Sequence, residues 1–385
     1  TMTYDAAGRL LTSEQTSTEG KALPKVTEKY SETTGQLVEQ STGSGSETKT
    51  IASKYNTLGQ LTSYTDADKN TSTYEYEGEG SYKGTKELDG RLRHVSDGKG
   101  TQVYTYEETT GALKELVDTQ GSHVLTFTGS YDIEGNITSE GYPNGMTATY
   151  VRNTAGETTG IEYVKNTHCA TKCPETWFVD SVTPSIHGQA LEQASSLSKE
   201  SYTYDESGRL TQVQETPTGE SCTTRVYAYE ADTNRASLTT AKANSKGECT
   251  TEGATEEKHS YDTADRLIDT GIKYSEFGDI TKLPAADAGG HELTSTFYVD
   301  GQVEGQTQNG QSNTYQLDPE HRTRETIAGT TATITHYAGP GETPSWTVEP
   351  VSGHWSRYVS GITGFAAIET GTTEPELQLI DLQGN

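Results

Sequence analysis

The sequence predicts an all-β protein of repeated antiparallel β-hairpins that form a curling sheet, an open spiral or partial hollow shell. Three observations carry that expectation. A short phrase built on Tyr, a turn and Gly recurs along the chain, and recurrence at a fixed spacing marks a repeat architecture. The 385 residues include 23 Tyr against 5 Phe, and Tyr packs its ring while its hydroxyl stays wet, which suits a sheet with a modest core. Hydrophobic content is only 30% and net charge is −27, so stability must come from many small contacts rather than one large core.

The organising stretch is Ser201 to Gln214, SYTYDESGRLTQVQ. Tyr202 and Tyr204 stand two apart and share one face of an extended strand. Asp205 opens a reversal by bonding the backbone two residues on. Gly208 supplies the positive φ that closes a type I turn with a bulge, and Arg209 and Leu210 open the return strand. Leu210 and Val213 are three apart, so the return strand needs a bulge between them to keep both on one face. The phrase begins at Tyr4, Asp5, Gly8, Arg9 and Leu10. It returns at Lys29 to Leu37, Lys54 to Leu61, Tyr104 to Leu113, Ser130 to Ile137, Ser260 to Leu267 and Lys273 to Ile280. Tyr4, Tyr30 and Tyr55 are 26 and 25 apart, room for one hairpin and its connection. A lone hairpin cannot bury its apolar face, so successive hairpins must stack.

The Tyr-Asp-x-x-Gly-Arg-Leu phrase at Tyr4 to Leu10 and Tyr204 to Leu210 resembles the YD repeat of the RHS (rearrangement hotspot) family. That family includes bacterial polymorphic toxins, insecticidal toxin-complex subunits and the teneurin shell. The stretches at Tyr64 to Tyr76, Leu317 to Glu325 and LQLIDLQGN from Leu377 are similar to further text of the family, and the likeness is weakest over 161–199. The four cysteines and HYAGPGETPSW from His336 look most like secreted actinobacterial members. The resemblance implies a β-shell around a cargo polypeptide, a secreted or cell-surface location, and a chain excised from a longer one that continues into an RHS core.

In chain order, 1–160 reads as repeat sheet with acidic, Gly-rich joints such as Ser41 to Lys49. The stretch 161–200 breaks the rhythm with Cys169, Cys173, Trp177 and a helix-tolerant run, GQALEQASSLSKE, and reads as a cysteine-containing insertion. Repeat sheet resumes over 201–385. No window holds 18 apolar residues, so no membrane span is expected.

Several constellations invite chemistry. Asp66, Asp68, Asn70 and Glu77 match a calcium-loop spacing, but Thr71 stands where the loop needs Gly, and the text alternates like a strand. A plain acidic turn is the better reading. Cys169 and Cys173, beside His168, form only one tight cluster, too little for zinc. Two disulfides account for four cysteines in a secreted protein. Three connectivities are open, and locality favours Cys169 with Cys173 and Cys222 with Cys249. Asp318-Pro319 resembles the element that begins the family's self-cleavage motif, yet no second Asp-rich element follows, so it reads as a repeat turn. There is no nucleophile elbow and no phosphate loop. No metal, cofactor or catalytic residue is therefore expected.

Two readings of function follow. The first is a structural, non-enzymatic shell segment around the protein's own C-terminal effector or other cargo. The second is a surface adhesion module that binds cell-surface glycan or protein through exposed Trp177, Trp346 and Trp355. An acidic chain excludes nucleic acid as partner, because phosphate binding needs a basic face. In the shell reading, acidic side chains on an inner wall would attract a basic effector.

Overall fold

The computed structural model describes residues 1–78, 80–82, 90–167, 169–170, 172–371 and 373–384. The fold is all-β, with antiparallel strands and short 3-10 turns at Gly45–Glu47 and Gly80–Tyr82. The chain divides into two compact units. The first comprises 1–107, 113–126 and 271–378; the second comprises 108–112, 127–270 and 379–385.

One local grammar builds the hairpins of both units. In Ser198–Tyr204 and Leu210–Pro217, the Asp205 carboxylate accepts the amides of Ser207 and Arg209, each at 2.9 Å, while Arg209 Nε returns to its other oxygen at 2.7 Å. Those bonds, with the Arg209 amide first, hold the Asp205 pKa below the ordinary carboxylate value. Gly208 sits at φ +81°. The ladder then slips, with Tyr204 opposite Leu210 but Thr203 opposite Gln212, so Thr211 is the bulge between Leu210 and Val213. Its hydroxyl donates to the Thr203 carbonyl across the hairpin at 3.0 Å. Thr62, Thr138 and Thr281 do the same to Lys54, Ser130 and Lys273. Asp5 and Arg9 repeat the clasp at 2.6 Å, with Gly8 at φ +80° and Tyr4 opposite Leu10.

Neighbouring hairpins are joined by the same residues. The Arg209 guanidinium lies 4.9 Å from the centroid of the Tyr229 ring, and Tyr229 OH donates to the Leu210 carbonyl at 2.6 Å. Arg9 covers Tyr30 at 4.7 Å, Arg91 covers Tyr106 at 4.5 Å and Arg322 covers Tyr337 at 4.0 Å. A cation over an aromatic face contributes about 0.5–1 kcal/mol at exposed sites, so each Arg clasps its own turn and grips the next hairpin.

Among the described residues of the first unit, ten strands run from Met2–Tyr4 to Leu113–Gln120, each antiparallel to the next. A second, 11-stranded sheet runs from Lys273–Tyr274 to Glu376–Leu377. The two stretches share small cores, Ile51, Tyr64 and Ala67 with Tyr337, and Leu23 with Tyr298 and Leu317.

In the second unit the hairpins continue from the end of His123–Tyr131 to Thr255–Lys258. Phe127, Tyr142, Tyr163 and Phe178 form a ladder of edge-on and tilted rings 5.6–6.2 Å apart. The stretch 161–200, expected as an insertion, contributes the end of Thr158–Lys165 and the strands Glu175–Pro184 and Ala190–Ser195, each paired antiparallel with its neighbours, with register shifts at Tyr163/Val164 and Thr183/Pro184. Cross-strand pairing on both sides overrides the helix tolerance of ALEQAS.

Candidate functional site: a buried charged seam and its cavity

The N-terminal and C-terminal stretches of the first unit meet along a line of carboxylates facing two guanidinium groups and an imidazole. The first supplies Asp66, Asp68, Asp97 and Asp118; the second supplies His336, Arg324 and Arg357. Asp118, Arg324, His336 and Arg357 come from strands, whereas Asp66, Asp68 and Asp97 sit in the turns that follow Leu61–Thr65 and Leu92–Ser96. In Leu113–Gln120, Leu116 and Asp118 are both buried on one face, and in Trp355–Ser360, Arg357 and Val359 are.

Arg357 is the centre of the seam. Its Nε donates to Asp97 at 2.6 Å, its two terminal nitrogens donate to Asp118 at 2.8 Å, and one of them also donates to Glu369 at 2.9 Å. Arg357 and the three carboxylates are all at most 8% exposed at the side chain. Three buried carboxylates thus face one guanidinium. Desolvation raises the pKa of Asp118 against the pull of Arg357, and desolvation followed by the Asp118 field raises that of Glu369. Glu369 Oε1 is buried and finds no hydrogen-bond partner. Asp97 is saturated: one oxygen accepts the amides of Lys99 and Gly100, the other accepts Ser345 Oγ and Arg357.

A cavity of about 770 Å³ opens beside this cluster, with Val95, Pro344, Tyr358, Phe365 and Ile368 around it and Asp97 and Arg357 in its wall. That is the size of a small-molecule site. Its two charged groups are already committed to one another, so they brace the wall rather than offer free ligands.

Asp66 and His336 form a second pair, Oδ2 to Nδ1 at 2.7 Å, with the Trp346 ring stacked 3.8 Å from the imidazole. Both are buried, and a general base needs reach to a substrate proton. Trp346 Nε1 donates to the Asp97 carbonyl at 3.1 Å, which ties this pair to the Arg357 cluster.

The calcium-like spacing is dispersed among other partners. Asp66 Oδ1 accepts the amides of Asp68 and Asn70, Asp68 pairs with Lys49 and Arg324, Asn70 donates to the Asp97 carbonyl, and Glu77 holds Arg91 and Arg93. Among the described residues no group of three or more His, Cys, Asp or Glu is placed to hold a metal ion.

Asp318-Pro319 forms the same kind of turn as Asp205 does in its own hairpin. Asp318 accepts the amides of Glu320 and Arg322 and the Arg322 guanidinium, with His321 at φ +61° in the position of the glycine. Here the clasp is buried, and Arg322 reaches on to Tyr64 OH at 2.6 Å. Burial, first of all, pushes Tyr337 beneath it up to about 12.

Disulfides join Cys169 to Cys173 and Cys222 to Cys249, with Cα atoms 5.6 and 5.0 Å apart. His168 lies outside the described residues. The three tryptophans do not form one exposed set. Trp346 is 7% exposed, Trp355 is half-buried with Lys99 between its ring and that of Trp346, and Trp177 is exposed in the second unit. Arg357, Asp97, Asp118 and Glu369 were not singled out from the sequence. For Asp118, Arg357 and Glu369 the signal was a charge at an inward position of a strand, whereas Asp97 lies in the turn after Leu92–Ser96.

No helix among the described residues is long and apolar enough to cross a membrane. No protein-family model and no curated protein matches the chain. Among solved structures, the chain is similar to TcdB2–TccC3 without its hypervariable C-terminal region, at 12% identity over 98% of this chain and 24% of that one, with a TM-score of 0.47. It is also similar to a Tc holotoxin pore of Photorhabdus luminescens, at 13% identity over 95% of this chain and 24% of that one, TM-score 0.44. A porin-like protein from Bacteroides uniformis matches at 13% identity over 60% of this chain and 92% of that one, TM-score 0.23. The chain spans about a quarter of the length of the two toxin structures.

Proposed function

We propose that this chain is a wall segment of a secreted, actinobacterial-type RHS shell, and that it has no catalytic role. Its partner in this reading is a polypeptide held by the wall, the C-terminal effector of the same protein. The observation that carries the reading is the interlock of the repeated phrase. The Asp–Arg clasp that closes one turn places the Arg over the Tyr of the next hairpin, as at Arg9 with Tyr30 and Arg209 with Tyr229. A wall needs such neighbour-to-neighbour coupling, because repeat proteins carry stability from unit to unit. The buried seam adds cross-bracing within the first unit. The charge of −27 supports weak, sequence-tolerant retention of a basic effector.

Limited proteolysis of the whole protein, read by mass spectrometry, tests this. A C-terminal segment that resists protease in the whole protein, and is digested when expressed alone, is the expected result. Equal digestion in both settings refutes encapsulation. The adhesion reading needs clustered exposed aromatics, and the burial of Trp346 removes one of its three.

A further inference from the structure

A second cavity in the first unit, of about 510 Å³, shares no lining residue with the one beside Arg357. Among the described residues it is lined by three cations, Lys21, Lys49 and Arg324, and one carboxylate, that of Glu47. The chain as a whole has 29 basic and 56 acidic residues, so this wall reverses the sign of the protein around it. Local structure places each cation. The Lys21 amide donates to the Phe297 carbonyl at 2.8 Å and the Val299 amide donates to the Lys21 carbonyl at 3.0 Å, which pins this segment to the second sheet with the Lys21 ammonium 5.2 Å from the centroid of the Tyr298 ring. Lys49 opens the strand Lys49–Tyr55 and Arg324 lies in Thr323–Ala328. Asp68 pairs with both, which holds them side by side.

These cations keep donors to give. An ammonium carries three N–H groups and a guanidinium five. Lys21 donates to Glu304 at 2.7 Å and Lys49 donates to Asp68. Arg324 donates to Gln316, but its ion pairs are long, 3.4 Å to both Asp68 oxygens and 3.3 Å to Glu325, against about 2.7–2.9 Å for a tight charged bond. Its side chain is 10% exposed, so a buried guanidinium in the cavity wall has slack in its carboxylate contacts. The cations form two poles, Lys49 with Arg324 on Asp68, and Lys21 on Glu304. The remaining wall includes apolar Pro24 and Leu317 and the Tyr298 ring. A planar carboxylate matches the fork of Arg324 and the ammonium beside it, a second carboxylate answers Lys21, and a carbon chain between them covers the apolar wall. We infer that this cavity binds a small aliphatic dicarboxylate. A monoanion meets one pole only.

Adipate is the probe, titrated calorimetrically into the whole protein at low ionic strength, because salt screens exposed charge pairs. Saturable one-to-one binding is expected. Hexanoate, of the same length with one carboxylate fewer, should bind about tenfold more weakly, and Lys21→Ala should weaken adipate about tenfold while leaving hexanoate unchanged. Glu47→Gln removes the opposing carboxylate from the wall and should tighten adipate about threefold, a gain that damage to the fold does not produce. Should Lys21→Ala lose the circular dichroism of the parent protein, Lys49→Gln takes its place at the other pole, with the same loss of adipate affinity expected. Absence of saturable adipate binding overturns the proposal. So does equal affinity for adipate and hexanoate, equal affinity for adipate and inorganic phosphate, or an adipate affinity that a folded Lys21→Ala or Lys49→Gln protein keeps. None of these readouts depends on whether the protein encapsulates an effector.

Discussion

Replacing Arg357 by Leu isolates the energetics of the seam. The side chain is 3% exposed, and its removal leaves Asp97, Asp118 and Glu369, at 8%, 0% and 1% exposure, without their shared cation. Breaking a buried pair by deleting one partner costs about 3–5 kcal/mol, because a charge is stranded in the interior. With a urea slope of about 3 kcal/mol per M, the unfolding midpoint should fall by roughly 1–1.7 M. Trp346 and Trp355 report on the first unit; a Trp177→Phe background removes the signal of the second. The deficit should also depend on pH. Asp118 and Glu369 already have raised pKa values, and loss of the guanidinium raises them further. A raised group contributes stability that is present below its unfolded pKa and lost as pH rises through its folded pKa. The deficit should therefore be largest near pH 8 and shrink toward pH 5. A midpoint shift below about 0.3 M, or a deficit that does not change over that range, refutes the reasoning.

Glu369→Gln should flatten the fall of first-unit stability on the alkaline side, because it removes one raised carboxyl; urea midpoints at pH 5 and pH 8 check this, and an unchanged slope counts against it. Gly100→Ala would place a Cβ 2.6 Å from Arg357 Cζ and 2.9 Å from the Thr119 carbonyl, and should destabilise the first unit by about 1–3 kcal/mol through overpacking. Gly208→Val forces a β-branched residue to φ +81°, a cost of about 1–3 kcal/mol that thermal melting of the second unit should register. Reduction of Cys169–Cys173 and Cys222–Cys249 should speed hydrogen exchange in the second unit and leave the strand Lys49–Tyr55 of the first unit unchanged.

Local physics made the hairpins legible. Asp205, Gly208 and Arg209 close a turn with bonds spanning at most four residues, so the phrase alone implied the turn, and the Leu210–Val213 spacing implied the bulge that Thr211 occupies. Alternation and Tyr content implied the sheet, though the expected insertion at 161–200 misread helix tolerance that strand pairing overrode. What the sequence did not yield was the partner of each inward charge. Asp66 meets His336 across 270 positions and Asp118 meets Arg357 across 239. A period of two says that Asp118 or Arg357 points inward and turn chemistry places Asp66, but nothing local says what will face them there. Only the stacking of 1–107 and 113–126 against 271–378 in the first unit selects those pairs. The Coulomb and desolvation terms that fix their pKa values arise only once both sheets have excluded water around them.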